Sequence, residues 1–276
     1  MSSSDPFYSP SSNHGYLVEG QQNGFPHVYL KKGTLDAFTK SFVSTFGGTI
    51  QEGGTVQITP TKSSVQLAFI FSPVGSLSVF DFATALPAPF GQERTGFMVS
   101  DLQQALLTAR QLGAKALIET FGDAIGNDAV IIWPNGVQMQ LFQFFKPSQY
   151  APLQTVPENR LYIPLEGADE FIRQFSIFSG SALIEDAIMP AGQNPISDGA
   201  VRNVLLVSST SFGNTRIFIT NGHLNYPFGR ETFGYKTENL WDTLTKAVKA
   251  GADPLYSNNT DSTILQFPGG YIAELH

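Results

Sequence analysis

The segment PFGRETFGYKTENL at residues 227–240 repeats PFGQERTGFMVSDL at residues 89–102 without a gap. Gly251-Ala252 fall at the same offset as Gly113-Ala114, and FPGGYIAEL (267–275) lies over WPNGVQMQL (133–141). Whatever the first copy folds into must therefore be built twice, so the first copy constrains the whole chain. Thr95, Phe97 and Val99 alternate with Arg94, Gly96 and Met98, the period of a strand with one apolar and one mixed face. Ser100 and Gln103 have capping-box spacing. Leu102, Ala105, Leu106, Ala109 and Leu112 then keep helical spacing up to the Gly113 stop. Strands are expected around 116–118, at 130–133 and at 137–142, the last two joined through Pro134-Asn135-Gly136. The unit reads strand, helix, three strands.

A weaker pair completes the set. HVYLKKGTLDAFTKSFVSTFGG (27–48) resembles RLYIPLEGADEFIRQFSIFSG (160–180), with Phe38 over Phe171, Phe42 over Phe175 and Gly47 over Gly180. The chain thus predicts an α+β fold of four βαβββ modules, paired into two domains. Module one spans about 25–78, with Thr34 as its helix N-cap, Leu35, Phe38 and Phe42 on the buried helix face, and strands at 56–58 and 65–71. Residues 80–92 read as a crossover to module two. Module three spans about 160–222, with strands at 203–207 and 216–220 and a Pro/Gly/Asn loop at 189–198. Domain one covers 25–146 and domain two 160–276. Pro147, Pro152 and Pro157 space a linker at 147–159, and the Ser- and Asn-rich residues 1–24 read as a flexible arm that Phe7, Tyr8, Tyr16 or Leu17 could pin down. Trp133 and Trp241 are expected in helix or core packing.

The formal net charge of −7 argues against nucleic acid or an acidic membrane as partner, because both require a basic surface. With no cysteine, disulfides, thiolate catalysis and Cys-ligated metals are excluded. No apolar run reaches a membrane-spanning length and residues 1–24 lack a signal-peptide core, so a cytoplasmic protein is expected. No phosphate loop, dinucleotide fingerprint or zinc signature is present, and Ser208-Ser209 has no triad spacing around it. His14 in the arm and His223 in a Gly-His turn are expected to be solvated.

Four βαβββ modules, a strand running into a Val-Ser-Asp-Leu helix start, and a closing Pro-x-Gly-x-x-x-x-Leu strand resemble the vicinal oxygen chelate superfamily. Its members include glyoxalase I, extradiol dioxygenases and bleomycin-resistance proteins. The resemblance covers about 27–276 and implies that paired modules curl their mixed sheets into cups. It further implies metal ligands at the start of each first strand and near the end of each last strand. Counted from the helix-start leucines, the first-strand positions are His27, Arg94, Arg160 and Thr232. The last-strand positions are Gln140 and Glu274 in modules two and four, and lie near Ala68 and Phe218 in modules one and three. An extradiol dioxygenase needs two His and one Glu where this chain has Arg160, Thr232 and Glu274. A guanidinium cannot donate to a metal and repels it, so the expectation is no metal and no other cofactor.

Strand alternation places His27, Tyr29, Lys31, Arg94, Gln138, Gln140 and Phe142 on the inner face of cup one. It places Arg160, Tyr162, Thr232, Lys236, Glu274 and His276 in cup two. Glu93 and Glu231 fall on the opposite parity and read as structural. In one reading, Arg94 or Arg160 pairs with an anionic group of a small unsaturated or aromatic metabolite. His27 is then the general base of an isomerase, cyclase or lyase, since imidazole ordinarily titrates near neutral pH. In the other, the cups fill themselves, Arg160 bridging to Glu274 and Arg94 to Glu93 or a glutamine. A metal-dependent lyase or dioxygenase with ligands in another register, and a non-catalytic scaffold or regulatory module, are the rival functions. A homodimer is a family habit.

Overall fold

Residues 14–20, 24–146, 153–229, 232–257 and 261–276 are described in a computed structural model of the protein. Module one is β1 (Gly24–Tyr29), α1 (Leu35–Phe46), β2 (Thr49–Val56), β3 (Val65–Ser72) and β4 (Gly75–Phe82). Module two is β5 (Thr95–Met98), α2 (Leu102–Gln111), β6 (Lys115–Gly122), β7 (Gly126–Ile132) and β8 (Gln138–Phe144). Module three is β9 (Glu158–Pro164), α3 (Ala168–Ser179), β10 (Ala182–Met189), β11 (Val201–Val207) and β12 (Asn214–Thr220). Module four is β13 (Thr232–Tyr235), α4 (Leu240–Lys249), β14 (Asp253–Ser257), β15 (Thr263–Gln266) and β16 (Ile272–Leu275).

The modules pair into two unclosed sheets with identical topology, β2-β3-β4-β1-β5-β8-β7-β6 and β10-β11-β12-β9-β13-β16-β15-β14. Both are mixed: in each module the first strand runs parallel to the last, as β1 does to β4 and β13 to β16. Modules join through short antiparallel seams, β1 with β5 and β9 with β13. The seams place the two first strands of each sheet side by side at its centre, where the expected sites lie.

The two largest cores are each shared between the sheets. Phe38, Phe42 and Ile70 of module one pack with Tyr235, Phe267 and Leu275 of module four. Phe97, Leu106 and Trp133 of module two pack with Phe171, Phe175 and Phe178 of module three. Each fully buried aliphatic or phenyl side chain contributes about 1.5–3 kcal/mol, so neither sheet keeps its backing without the other. Trp133 meets Phe178 edge-on at 5.5 Å, whereas Trp241 lies on the outer face of α4 at 53% exposure, contrary to the expectation that both are packed.

Helix starts follow the chemistry of the orphan N–H groups, with different residues from those expected. At α2 the cap is Asp101, whose carboxylate accepts from Gln104 N at 2.9 Å, and its repeat partner Asn239 caps α4 through Asp242 N at 3.1 Å. Ser100 is instead tied to the arm, donating from Oγ to Gly15 O at 2.9 Å. At α1 the Thr34 side chain makes no capping bond. The buried Asp81 of β4 accepts from Gly33 N at 2.8 Å, Thr34 N at 3.0 Å and Leu35 N at 3.2 Å.

Two strands went unread in the sequence. β4 occupies 75–82, including residues expected to start the crossover; it is buried on both faces, so it shows no alternation. β10 is an exposed edge strand with Leu183, Ile184 and Ile188 at the surface, again without an inside-outside period. The expected strand at 56–58 lies earlier, in β2, which ends at Val56. Nor is the arm loose over its described part. Tyr16 is buried, stacks on Phe178 and donates to Phe178 O at 2.6 Å, and Leu17 bridges to Val99. The rest of the arm, 1–13 and 21–23, and the first part of the linker, 147–152, lie outside the described residues. β1 begins at Gly24, and β9 takes Glu158 and Asn159 from the expected linker.

Candidate functional site

In cup one, the His27 ring stands edge-on to Phe80 at 5.3 Å, with Nε2 over Gly96, where any Cβ would collide with it. Gly96 thus makes room for the imidazole. Nδ1 is buried with no hydrogen-bond partner, 3.6 Å from Glu93 Oε1. The Tyr29 hydroxyl donates to the same carboxylate oxygen, and Gly91 N donates to Oε2 at 3.1 Å. Burial first, and the Glu93 carboxylate second, push the Tyr29 phenol well above its ordinary range. Glu93 is fully buried, contrary to the parity argument that turned it away. β5 begins only at Thr95, so strand alternation does not reach back to Glu93.

Arg94 is half-buried, its Cζ 5.9 Å from the Tyr29 ring centroid. Among the described residues no carboxylate lies within 4.0 Å of its guanidinium, and neither expected partner, Glu93 or a glutamine, holds it. Tyr29, Phe80 and Phe82 make the adjoining aromatic wall, with Tyr29 5.1 Å from Phe80 and 6.3 Å from Phe82.

Within module two, Gly96 pairs with Gln140, which donates through Nε2 to Asp128 Oδ1 at 2.6 Å. Burial, then the Asp123 charge, raises the Asp128 carboxyl to about 7 against the pull of the Gln140 bond. Sequence reasoning missed Asp128; the available signal was a lone carboxylate heading the apolar run 129–132. Gln138 is half-buried on the same strand, and Phe142 packs edge-on to Phe25. Lys31 is a correction: β1 ends at Tyr29 and the lysine side chain is exposed beyond it.

Cup two has closed on itself. Arg160 is 5% exposed and pairs with Glu274 and, at 3.0 Å, with Glu158. Glu158 also receives Arg216 Nε at 3.0 Å, and Arg216 continues to Glu185 and Asn203, both at 3.0 Å. Burial would raise the Glu158 carboxyl, but the Arg216 bonds and the Arg160 charge bring it down to about 2. His276 Nε2 is 4.0 Å from Glu158, and burial and Arg160 keep this ring below its ordinary value. The expected Arg160–Glu274 bridge is present; Glu158 and Arg216 were missed because Glu158 was read as linker. Tyr162 stacks on Phe218 at 5.2 Å, and Thr232 is buried beside Arg160 on the pairing strand. Lys236 is a correction, exposed just past the end of β13. The 189–198 loop is tied down: Ile196 is buried against Val201 and Phe218, and Ser197 Oγ donates to His223 O at 2.6 Å. His223 is exposed, His14 is half-buried against Tyr16, and Glu231 lies outside the described residues.

The family ligand positions can now be read from register. Tyr29 pairs with Phe80, Gly96 with Gln140, Tyr162 with Phe218 and Gly234 with Glu274. Module one's last-strand position is therefore Phe80 on β4; Ala68 lies one strand away, on β3. Cup one offers one imidazole, an amide, a phenyl ring and a guanidinium, and in cup two Glu274 is already held by Arg160. Among the described residues no three His, Asp or Glu side chains converge as a metal site. This donor set does not fit a divalent ion.

This is the two-domain, four-module fold that the resemblance to the vicinal oxygen chelate superfamily implies, and solved structures share it. A variant of 4-hydroxymandelate synthase from Streptomyces coelicolor superposes with a TM-score of 0.61 at 10% identity, covering 94% of this chain and 92% of that one. The 2,3-dioxygenase LapB from Pseudomonas sp. KL28 gives 0.53 at 14% identity, over 94% and 92%. The 2,2',3-trihydroxybiphenyl 1,2-dioxygenase of Sphingomonas wittichii strain RW1 gives 0.52 at 12%, over 94% and 90%. No protein-family model and no curated protein sequence matches the chain. Among the described residues no helix is long and apolar enough to cross a membrane.

Proposed function

We propose that the chain is a metal-independent member of this superfamily whose first cup binds, and isomerises, cyclises or cleaves, a small unsaturated or aromatic acid. The observation that carries the reading is Arg94, half-buried beside His27 with no carboxylate against it among the described residues, whereas Arg160, the buried guanidinium of cup two, is clamped by two. A ligand carboxylate supplies the missing partner, while Tyr29, Phe80 and Phe82 face its unsaturated body. His27 takes a proton through Nε2, which lies over Gly96 next to Gln140. The aromatic class rests on these rings, since neighbours at such low identity share the fold alone.

The test is thermal stabilisation of the full chain by benzoate, cinnamate and phenylpyruvate, each against its neutral amide. The acids stabilise, the amides do not, and Arg94→Gln weakens acid binding about tenfold or more, the value of a charge-assisted bond. His27→Ala keeps binding and abolishes turnover. Absence of any acid-dependent stabilisation, or an Arg94→Gln protein that binds as before, sinks the reading.

A further inference from the structure

We infer that Glu93 is the positioning residue of His27, holding the imidazole with its proton on Nδ1 so that the Nε2 lone pair faces the cup. The inference rests on the reading of His27 as the base and adds the group that makes it one. Two buried atoms carry it: His27 Nδ1 has no hydrogen-bond partner, and Glu93 Oε1 lies 3.6 Å from it. A neutral imidazole has one donor and one acceptor nitrogen, and what the first nitrogen faces decides the tautomer. An Nδ1 lone pair turned towards a carboxylate oxygen is repelled; an Nδ1–H is attracted. A small rotation of the ring closes the remaining gap into a hydrogen bond, as catalytic contacts commonly do when a ligand arrives.

The surroundings fix the carboxylate. Tyr29 donates to Oε1 and Gly91 N to Oε2, so both oxygens already act as acceptors. The ring is bounded on several sides: Phe80 meets it edge-on, Tyr29 lies 6.3 Å away at 77°, and its Nε2 and Cε1 fill the space where a Cβ on residue 96 would stand. Beside His27, Tyr29 and Arg94 is a cavity of about 30 Å³ reaching to Thr232 and Tyr271.

The opposite arrangement has a definite signature. Were Glu93 itself protonated, it would donate to Nδ1 and leave the proton of the imidazole on Nε2, making His27 an acid towards the cup. Long-range ¹H–¹⁵N correlation of the full chain at alkaline pH, with His27 assigned by His27→Gln, separates the two. Nδ1–H with an unprotonated Nε2 is expected in the wild type and in Tyr29→Phe. In Glu93→Gln, where the acceptor charge is gone, the population moves towards Nε2–H. An Nε2–H wild type, or a Glu93→Gln spectrum with His27 unchanged, overturns the inference. If Glu93→Gln does not fold, the wild-type and Tyr29→Phe spectra still decide. No ligand is needed, so a failed acid screen and a failed tautomer assignment are separate results.

Discussion

The Arg160 guanidinium lies against Gly234: a Cβ built on that glycine would stand 2.5 Å from Nε and 2.7 Å from Cζ. The arginine cannot step aside, because Glu158 and Glu274 hold its two terminal nitrogens. Gly234→Ala therefore overpacks a clamped, buried ion pair and should cost about 1–3 kcal/mol. Urea unfolding reads this as a lower midpoint at unchanged slope. Gly122→Ala, whose new methyl meets nothing nearer than Asn127 Oδ1 at 3.4 Å, is the control and should lie within about 0.5 kcal/mol of wild type. A Gly234→Ala protein as stable as the control would show that cup two has slack.

Asp81 lies on β4 yet serves α1. Its carboxylate collects the N–H groups of Gly33, Thr34 and Leu35, donors that an ordinary N-cap side chain would satisfy from within the helix. Asp81→Ala should lower stability by about 1–2 kcal/mol, the upper part of the capping range, since three donors are released in a largely buried place. Asp81→Asn keeps one acceptor oxygen and should fall between the two. Thr34→Ala should be nearly neutral, because its side chain makes no capping bond. Midpoints from thermal unfolding rank the three variants, and a costly Thr34→Ala beside a harmless Asp81→Ala would reverse the assignment.

These cases show where the sequence is legible. The repeat exposed four modules because each copy needs a strand before its helix and a glycine just after it, and these requirements are local. Asp81 capping α1 and Glu93 meeting His27 are set by chain crossings of 46 to 48 and 66 residues, which no local period records. Alternation placed Tyr29, Gln140 and Glu274 because each sits within a regular strand. It failed for Glu93, Lys31 and Lys236, which lie just beyond strand ends. β4 was hidden for the opposite reason, since burial on both faces removes the period altogether.

Asp128 gives the chain a pH dependence of predictable sign. It is 6% exposed, and burial, then Asp123, raises its carboxyl from 3.8 to about 7. The folded chain thus holds this proton more tightly than the unfolded chain does. Between those two values the native state binds more protons, so the free energy of unfolding falls as pH rises. The contribution is fully present below 3.8 and is lost as pH climbs through about 7. Asp128→Asn keeps an acceptor for Gln140 Nε2 and removes the ionisation. The variant's advantage in melting temperature over wild type should therefore grow from about pH 4 to about pH 8. A difference that stays constant across that range would mean that Asp128 ionises in the folded cup as it does in water.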